Sequence, residues 1–152
     1  MDIGKQFKGK LIAVDTSIFI YFIEEHPKYL DFVNDFFLRN HEGDFRIVTS
    51  VITLLEVLVF PYKNSRDDLV KEYKAIFGES AGIDLIDVTP EICEISAKLR
   101  AARGLRTPDS VEIGTAIFAG ADYFLTNDKR LESVKEIPVI VLEKVIEPIE
   151  TG

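Results

Sequence analysis

Two hydrophobic regimes alternate along this chain. Five short, mostly apolar runs have strand length and are bounded by turn or helix-start signals: Leu11–Val14, Phe45–Val48, Ile83–Val88, Tyr123–Leu125 and Val139–Leu142. Between them, apolar residues recur at the three-and-four spacing of an amphipathic helix. Leu30, Val33, Phe36 and Phe37 do so within Tyr29–Leu38, Val70, Tyr73 and Phe77 within Asp67–Phe77, and Ile92, Ile95 and Leu99 within Glu91–Arg103. The alternation predicts an α/β domain whose sheet, of four to five strands, is mainly parallel and covered on both faces. Met1–Lys10 reads as a leading segment, residues 11–146 as the domain, and Glu147–Gly152 as a loosely held tail. No internal repeat or linker divides it.

Composition narrows the class. With 152 residues, 47% of them apolar and 29% charged, the chain can bury one ordinary core and is neither disordered nor of low complexity. The lone Cys93 excludes an internal disulfide and a thiolate zinc site. No apolar run approaches the ~18–20 residues of a membrane span, and the polar start lacks the apolar core of a signal peptide. A cytoplasmic protein is therefore expected. The net charge of −8 argues against binding nucleic acid through a broadly basic surface. It leaves open an enzyme whose acids are gathered around cations.

The acids nearest the strand ends carry the candidate chemistry, because parallel sheets bind ligands beyond the carboxyl ends of their strands. Asp15 follows the first run and is the only formal charge between Leu11 and Ile23. It reads either as a helix N-cap or as a buried acid in need of a cation. No glycine-rich phosphate loop follows that run, since Ala13 to Thr16 lead directly to Ser17. Glu56 lies within the apolar helical stretch Val51–Phe60, where a second-turn glutamate calls for Arg, Lys or a metal. Asp109 follows Thr107-Pro108, with Thr107 expected as the cap. Asp128, in Thr126-Asn127-Asp128, is placed to cap a short helix. Singly, Asp109 and Asp128 read as structural. Together the four form an oxygen-only set suited to Mg²⁺ or Mn²⁺ rather than zinc. Only two histidines are present, His26 and His41, both in loop-like surroundings.

The segments Val14–Ile20, Thr49–Val57, Thr107–Ser110 and Phe124–Asp128 resemble, in order, the successive motifs of the PIN-domain family, and most closely those of small VapC-type toxin ribonucleases. The resemblance spans Leu11 to about Leu142. It implies a three-layer α/β/α fold and a Mg²⁺- or Mn²⁺-dependent endoribonuclease leaving a 5′-phosphate and a 3′-hydroxyl. It also implies an antitoxin partner and a homodimer. By position, Asp15, Glu56, Asp109 and Asp128 match the family's acidic quartet, with Asp15 and Asp109 as primary ligands. Ser17 matches its small hydroxyl residue near the metal and Thr126 the hydroxyl before the last acid, both expected to contact substrate, and Thr115 matches a structural threonine. Glu112, one helical turn after Asp109, is outside the quartet and has no assigned role.

Lys129 and Arg130 are the expected phosphate contacts. The bases Lys98, Arg100, Arg103 and Arg106 read equally as a solvated helix end or as an RNA-facing run. No platform of interleaved aromatics for stacking bases is evident. The other readings are a PIN scaffold that binds RNA or protein without turnover, and a phosphatase of the haloacid-dehalogenase type. The latter lacks its second acid, because Ser17 stands in that place.

Overall fold

Successive residues of β1 (Leu11–Val14) face opposite sides of a sheet: Ile12 and Val14 enter one core and Ala13 the other. The same period of two runs through β2 (Arg46–Ser50) and β4 (Tyr123–Thr126), where Ile47 and Leu125 join the first core and Val48 and Phe124 the second. Strands buried on both faces require a helical layer on each. The structure, a computed structural model, describes residues 1–146. The predicted tail, 147–152, lies outside the described residues.

All five predicted strands are present and every pairing is parallel, in the order β3-β2-β1-β4-β5, with β3 at Ile83–Ile86 and β5 at Val139–Val141. The first core is closed by α1 (Ile3–Gln6), α2 (Thr16–Ile23), α3 (Leu30–His41), α4 (Val51–Lys63) and α5 (Asp67–Glu79). The second is closed by α6 (Pro90–Arg103) and α7 (Thr107–Ala119), together with Leu131 of a 3₁₀ turn, Lys129–Ser133. A last helix, α8 (Leu142–Ile146), follows β5 directly. This is the expected three-layer α/β/α architecture. The leading residues carry α1 and seat Phe7 fully inside the core, edge-on to Phe36 and Phe45.

The structure departs from the sequence expectation in several places. The third strand stops at Ile86 because Thr89 turns to cap α6, its hydroxyl accepting from the Ile92 amide. Thr107 is already the first residue of α7, so Arg106 occupies the cap position and makes no side-chain capping bond. The apolar stretch of α4 is only partly buried, with Leu55, Val59 and Phe60 half or more exposed. Between α6 and α7, Gly104 takes a left-handed conformation (φ 68°) that ends one helix and lets the next fold back on it. They pack tightly at Gly114, where a Cβ would run into the Ser96 hydroxyl. Among the described residues, no helix is long and apolar enough to cross a membrane.

Candidate active site

The strand order creates the site. From β1 the chain moves outward to β2 and β3, then returns to the other side of β1 for β4 and β5. A crevice opens where the direction reverses, beyond the carboxyl ends of β1 and β4. Asp15 is the first residue after β1, and Asn127 and Asp128 follow β4. Glu56 arrives from the second turn of α4, Asp109 and Glu112 from successive turns of α7. These five acids line one open cleft of about 650 Å³, together with a sixth, Glu143, and with Ser17, Tyr21, Arg106, Lys129 and Arg130.

Asp15 serves two structural ends at once. It is the N-cap of α2, its Oδ1 accepting from the Thr16 amide at 2.7 Å, while Oδ2 accepts from the Thr126 hydroxyl at 2.5 Å. Burial raises its pKa above the usual carboxylate value despite these bonds, and the charge of Asp109 acts in the same direction.

Glu112 is the acid that sequence reasoning left unassigned, and it lines the crevice from the buried face of α7. Its side chain is buried, and Oε1 accepts from the Thr53 hydroxyl at 2.9 Å and the Thr16 hydroxyl at 3.1 Å. Burial, and then the charges of Asp15 and Glu56, push its pKa well above the ordinary value; in its neutral form it donates a hydrogen bond to Asp15. Thr16 Oγ1 lies closer to Glu56, at 2.5 Å. Its single proton can serve only one of the two glutamates at a time.

The outer acids are held differently. Arg106 Nε donates to Asp109 Oδ2 at 3.1 Å. The Arg130 guanidinium grips both oxygens of Asp128, which it also follows by two residues, and its Nη2 lies 4.0 Å from Asp109. The Arg130 contact lowers the Asp128 pKa. Asp128 also caps the 3₁₀ turn, accepting from the Arg130 amide at 3.0 Å. The structural and functional readings of Asp15 and Asp128 are thus compatible: each caps an element and faces the crevice.

Of the predicted hydroxyl residues, Ser17 lines the cleft, and its Oγ is buried without a hydrogen-bond partner among the described residues. Thr126 is fully buried and stands behind Asp15 instead of on the cleft wall. The run of four bases divides. Arg100 donates to the Leu105 carbonyl and Arg103 pairs with Glu136, whereas Arg106 reaches the cleft. Thr115 is structural, its hydroxyl returning to the Val111 carbonyl.

Tyr21 was not anticipated at the cleft. Asn127 donates to its hydroxyl at 3.0 Å and accepts from the Glu143 amide at 2.8 Å, clamping α2 to the start of α8. The Tyr21 ring stacks on Tyr29 and meets His26, so that histidine packs on aromatic rings.

The donor set fits a hard divalent cation. Every acid presents oxygen, the inner carboxyls are pushed toward their neutral forms by burial and then by neighbouring negative charge, which a cation offsets, and Ser17 offers an unpartnered oxygen beside them. Among the described residues, no three acid, histidine or cysteine groups already converge as a cage. Asp109 and Asp128 face arginines instead.

The family model of the PIN domain matches residues 12–137. No curated protein matches the sequence. Among solved structures, VapBC2 from Rickettsia felis bound to a promoter DNA fragment is similar, with a TM-score of 0.68 and 18% identity over 86% of this chain and 98% of that one. A toxin–antitoxin complex from Klebsiella pneumoniae gives 0.66 and 19%, covering 86% and 97%. The Mycobacterium tuberculosis VapC20, a toxin that cleaves the sarcin-ricin loop, gives 0.61 and 16%, covering 74% and 86%.

Proposed function

This chain belongs to the PIN-domain family, and on that premise we propose that it is a Mg²⁺- or Mn²⁺-dependent endoribonuclease, the toxin of a toxin–antitoxin pair acting in the cytoplasm. The observation that carries the proposal is the meeting of Asp15, Glu56, Asp109, Glu112 and Asp128 in one cleft at the reversal of strand order. The similar VapC20 toxin cleaves the sarcin-ricin loop, which supports RNA as the substrate class.

Asp15, Glu56, Asp109 and Asp128 would hold the cation, with Glu112 beside them. When bound, the ion supplies a water of lowered pKa and neutralises charge on the phosphoryl oxygens. The protein's own contribution is orientation. Thr126 and the Thr16 amide fix Asp15 from two directions, and the Thr16 hydroxyl fixes Glu56. Thr53 holds Glu112 in place. Lys129 and Arg130, at the cleft mouth, supply positive charge for the RNA backbone.

The partner proposal rests on the similar complexes, which are toxin–antitoxin assemblies. A second cleft, between α2, α3 and α5, presents Phe22, Ile23, Phe37, Leu38 and Ile76, an apolar trough suited to an amphipathic segment of an antitoxin. The exposed apolar residues of α4 suit a second copy of the chain.

The test is cleavage of single-stranded and structured RNA in Mg²⁺ or Mn²⁺, in excess EDTA, and by Glu56→Gln. Cleavage is expected only from the wild type with a divalent ion. Cleavage that persists in EDTA, and is absent from an identically purified Glu56→Gln protein, would overturn the metal mechanism.

A further inference from the structure

Apart from Glu143, which pairs with Lys28, the acids of the cleft fall into two groups by what neutralises them. Asp15, Glu56 and Glu112 are met by hydroxyl groups and a backbone amide. Asp109 and Asp128 are met by guanidinium groups, and Asp109 Oδ2 lies between two of them, 3.1 Å from Arg106 Nε and 4.0 Å from Arg130 Nη2. The acids and the arginines differ in exposure. The Asp109 and Asp128 side chains are 11% and 26% exposed, whereas both arginine side chains are 64% exposed. The carboxylates are held by the fold, and the guanidinium groups can swing into solvent with little loss of packing.

We propose that Arg106 and Arg130 are displaceable counter-ions: they neutralise Asp109 and Asp128 in the metal-free protein and, once a divalent cation takes those carboxylates, turn outward to bind RNA phosphates. The proposal rests on the metal-centre reading above. Its physical basis is competition for the same lone pairs. A carboxylate oxygen engaged by a guanidinium fork is unavailable to a cation, and two unit charges beside Asp109 repel a third ion. A divalent ion concentrates more charge at the carboxylates than either guanidinium does, and oxygen donors suit it. The displaced guanidinium groups stay tethered at the cleft mouth, where their planar forks match phosphate oxygens.

Two consequences follow. The arginines weaken cation binding in the absence of RNA, and cation binding strengthens RNA binding by freeing them. By linkage, RNA then strengthens cation binding by the same factor.

The first measurement is calorimetric titration of Mn²⁺ into the wild type, R106Q/R130Q and R106K/R130K, without nucleic acid. Exposed ion pairs are individually weak, so the glutamine variant is expected to bind Mn²⁺ about threefold to thirtyfold more tightly. The lysine variant, which keeps charge but loses the fork, should fall between. The second is fluorescence anisotropy of a short single-stranded RNA in EDTA and in Ca²⁺, an ion that also takes oxygen ligands. In EDTA, where the lost charges act only through the local field, R106Q/R130Q should bind RNA at most a few-fold more weakly than the wild type, and in Ca²⁺ the deficit should widen to about tenfold or more. Mn²⁺ affinity that is equal or weaker in R106Q/R130Q would overturn the counter-ion role and leave the metal centre standing. So would an RNA-binding defect of equal size in EDTA and Ca²⁺, which would make the arginines permanent phosphate ligands. Absence of Mn²⁺ binding to all three proteins would overturn the metal-centre reading and this proposal with it.

Discussion

The Thr126 hydroxyl donates to Asp15 Oδ2 at 2.5 Å, joining the last residue of β4 to the residue after β1. The same oxygen of Thr126 accepts from the Asp128 amide at 3.1 Å. One buried hydroxyl therefore sets the positions of two acids on opposite banks of the crevice. Its place behind the cleft wall suits this positioning role.

Thr126→Val keeps the shape of the side chain and removes both bonds. A hydrogen bond to a carboxylate contributes about 1.5–3 kcal/mol, so Thr126→Val should lose stability of that order in urea unfolding, with Thr126→Ser close to wild type. Loss of the bond also removes one of the contacts that lower the Asp15 pKa. Cleavage by Thr126→Val should accordingly fall further than its stability predicts at temperatures where it is fully folded. Unchanged kcat in a folded Val variant would show that Asp15 needs no such support.

Gly114 tests the second core. A methyl group there meets the Ser96 hydroxyl, which is itself bonded to the Ile92 carbonyl at 2.8 Å. Alanine gains roughly 1 kcal/mol in helix propensity over glycine, but forcing α6 and α7 apart costs about 1–3 kcal/mol. Gly114→Ala should therefore be neutral to destabilising by up to about 2 kcal/mol, and Gly114→Val clearly worse. Ser96→Ala in the Gly114→Ala background should restore part of the loss, because it removes the atom that clashes. Thermal melts of the single and double variants read this directly.

Much of this geometry was legible from the chain. The five strands stand where short apolar runs meet helix-start residues, and the acids after the first and fourth runs had to lie at strand ends if the sheet was parallel. Glu112 was not legible. It sits among Val111, Ile113 and Gly114 on a helix whose faces all look alike in sequence, and only the packing of α7 against β2 and α4 decides which face turns to the crevice. Its spacing of three from Asp109 was the available signal, since that spacing places both on one helix face. The arginine pairs were hidden for another reason. Arg106 sits in a run of bases with ordinary helix-end placement, and it is the turn into α7 that brings it to Asp109. Tyr21 and Asn127 meet across 106 residues of sequence, a contact no local pattern encodes.

Glu112 gives the metal-free protein a pH dependence of definite sign. Its native pKa is raised well above the ordinary value of 4.5, mainly by burial and then by Asp15 and Glu56. The native state thus holds the proton more tightly than the unfolded chain does. Stability is unpenalised below the ordinary carboxyl pKa and falls as pH rises through it, until the native group itself ionises. Asp15, whose pKa is also raised, adds to the same slope. Glu112→Gln keeps a donor for Asp15 and an acceptor for Thr53 but cannot ionise. In EDTA it should match the wild type near pH 4, surpass it in melting temperature as pH rises, and show a flatter profile. A profile as steep as that of the wild type would mean Glu112 carries no such proton.

Asp15→Asn separates the two roles of the residue that begins the site. Asparagine caps a helix about as well as aspartate, so the bond from the Thr16 amide survives, and so does the start of α2. What is lost is a charge in a crowd of acids and an anionic oxygen for a cation, while the Thr126 bond reverses, the asparagine amide donating to the hydroxyl oxygen. Without metal that charge is a liability, since it is buried and lies near Asp109. The variant in EDTA should therefore melt at the same temperature as the wild type or above it. With Mn²⁺ the order should reverse. Binding to the native state raises stability by RT ln(1 + [L]/Kd), so a weakened site gains less at the same ion concentration. A cap with no further role predicts something else: equal Mn²⁺-induced shifts in both proteins. Four melts, each protein in EDTA and in Mn²⁺, decide between them, and equal shifts would remove Asp15 from the cation site while leaving it the cap of α2.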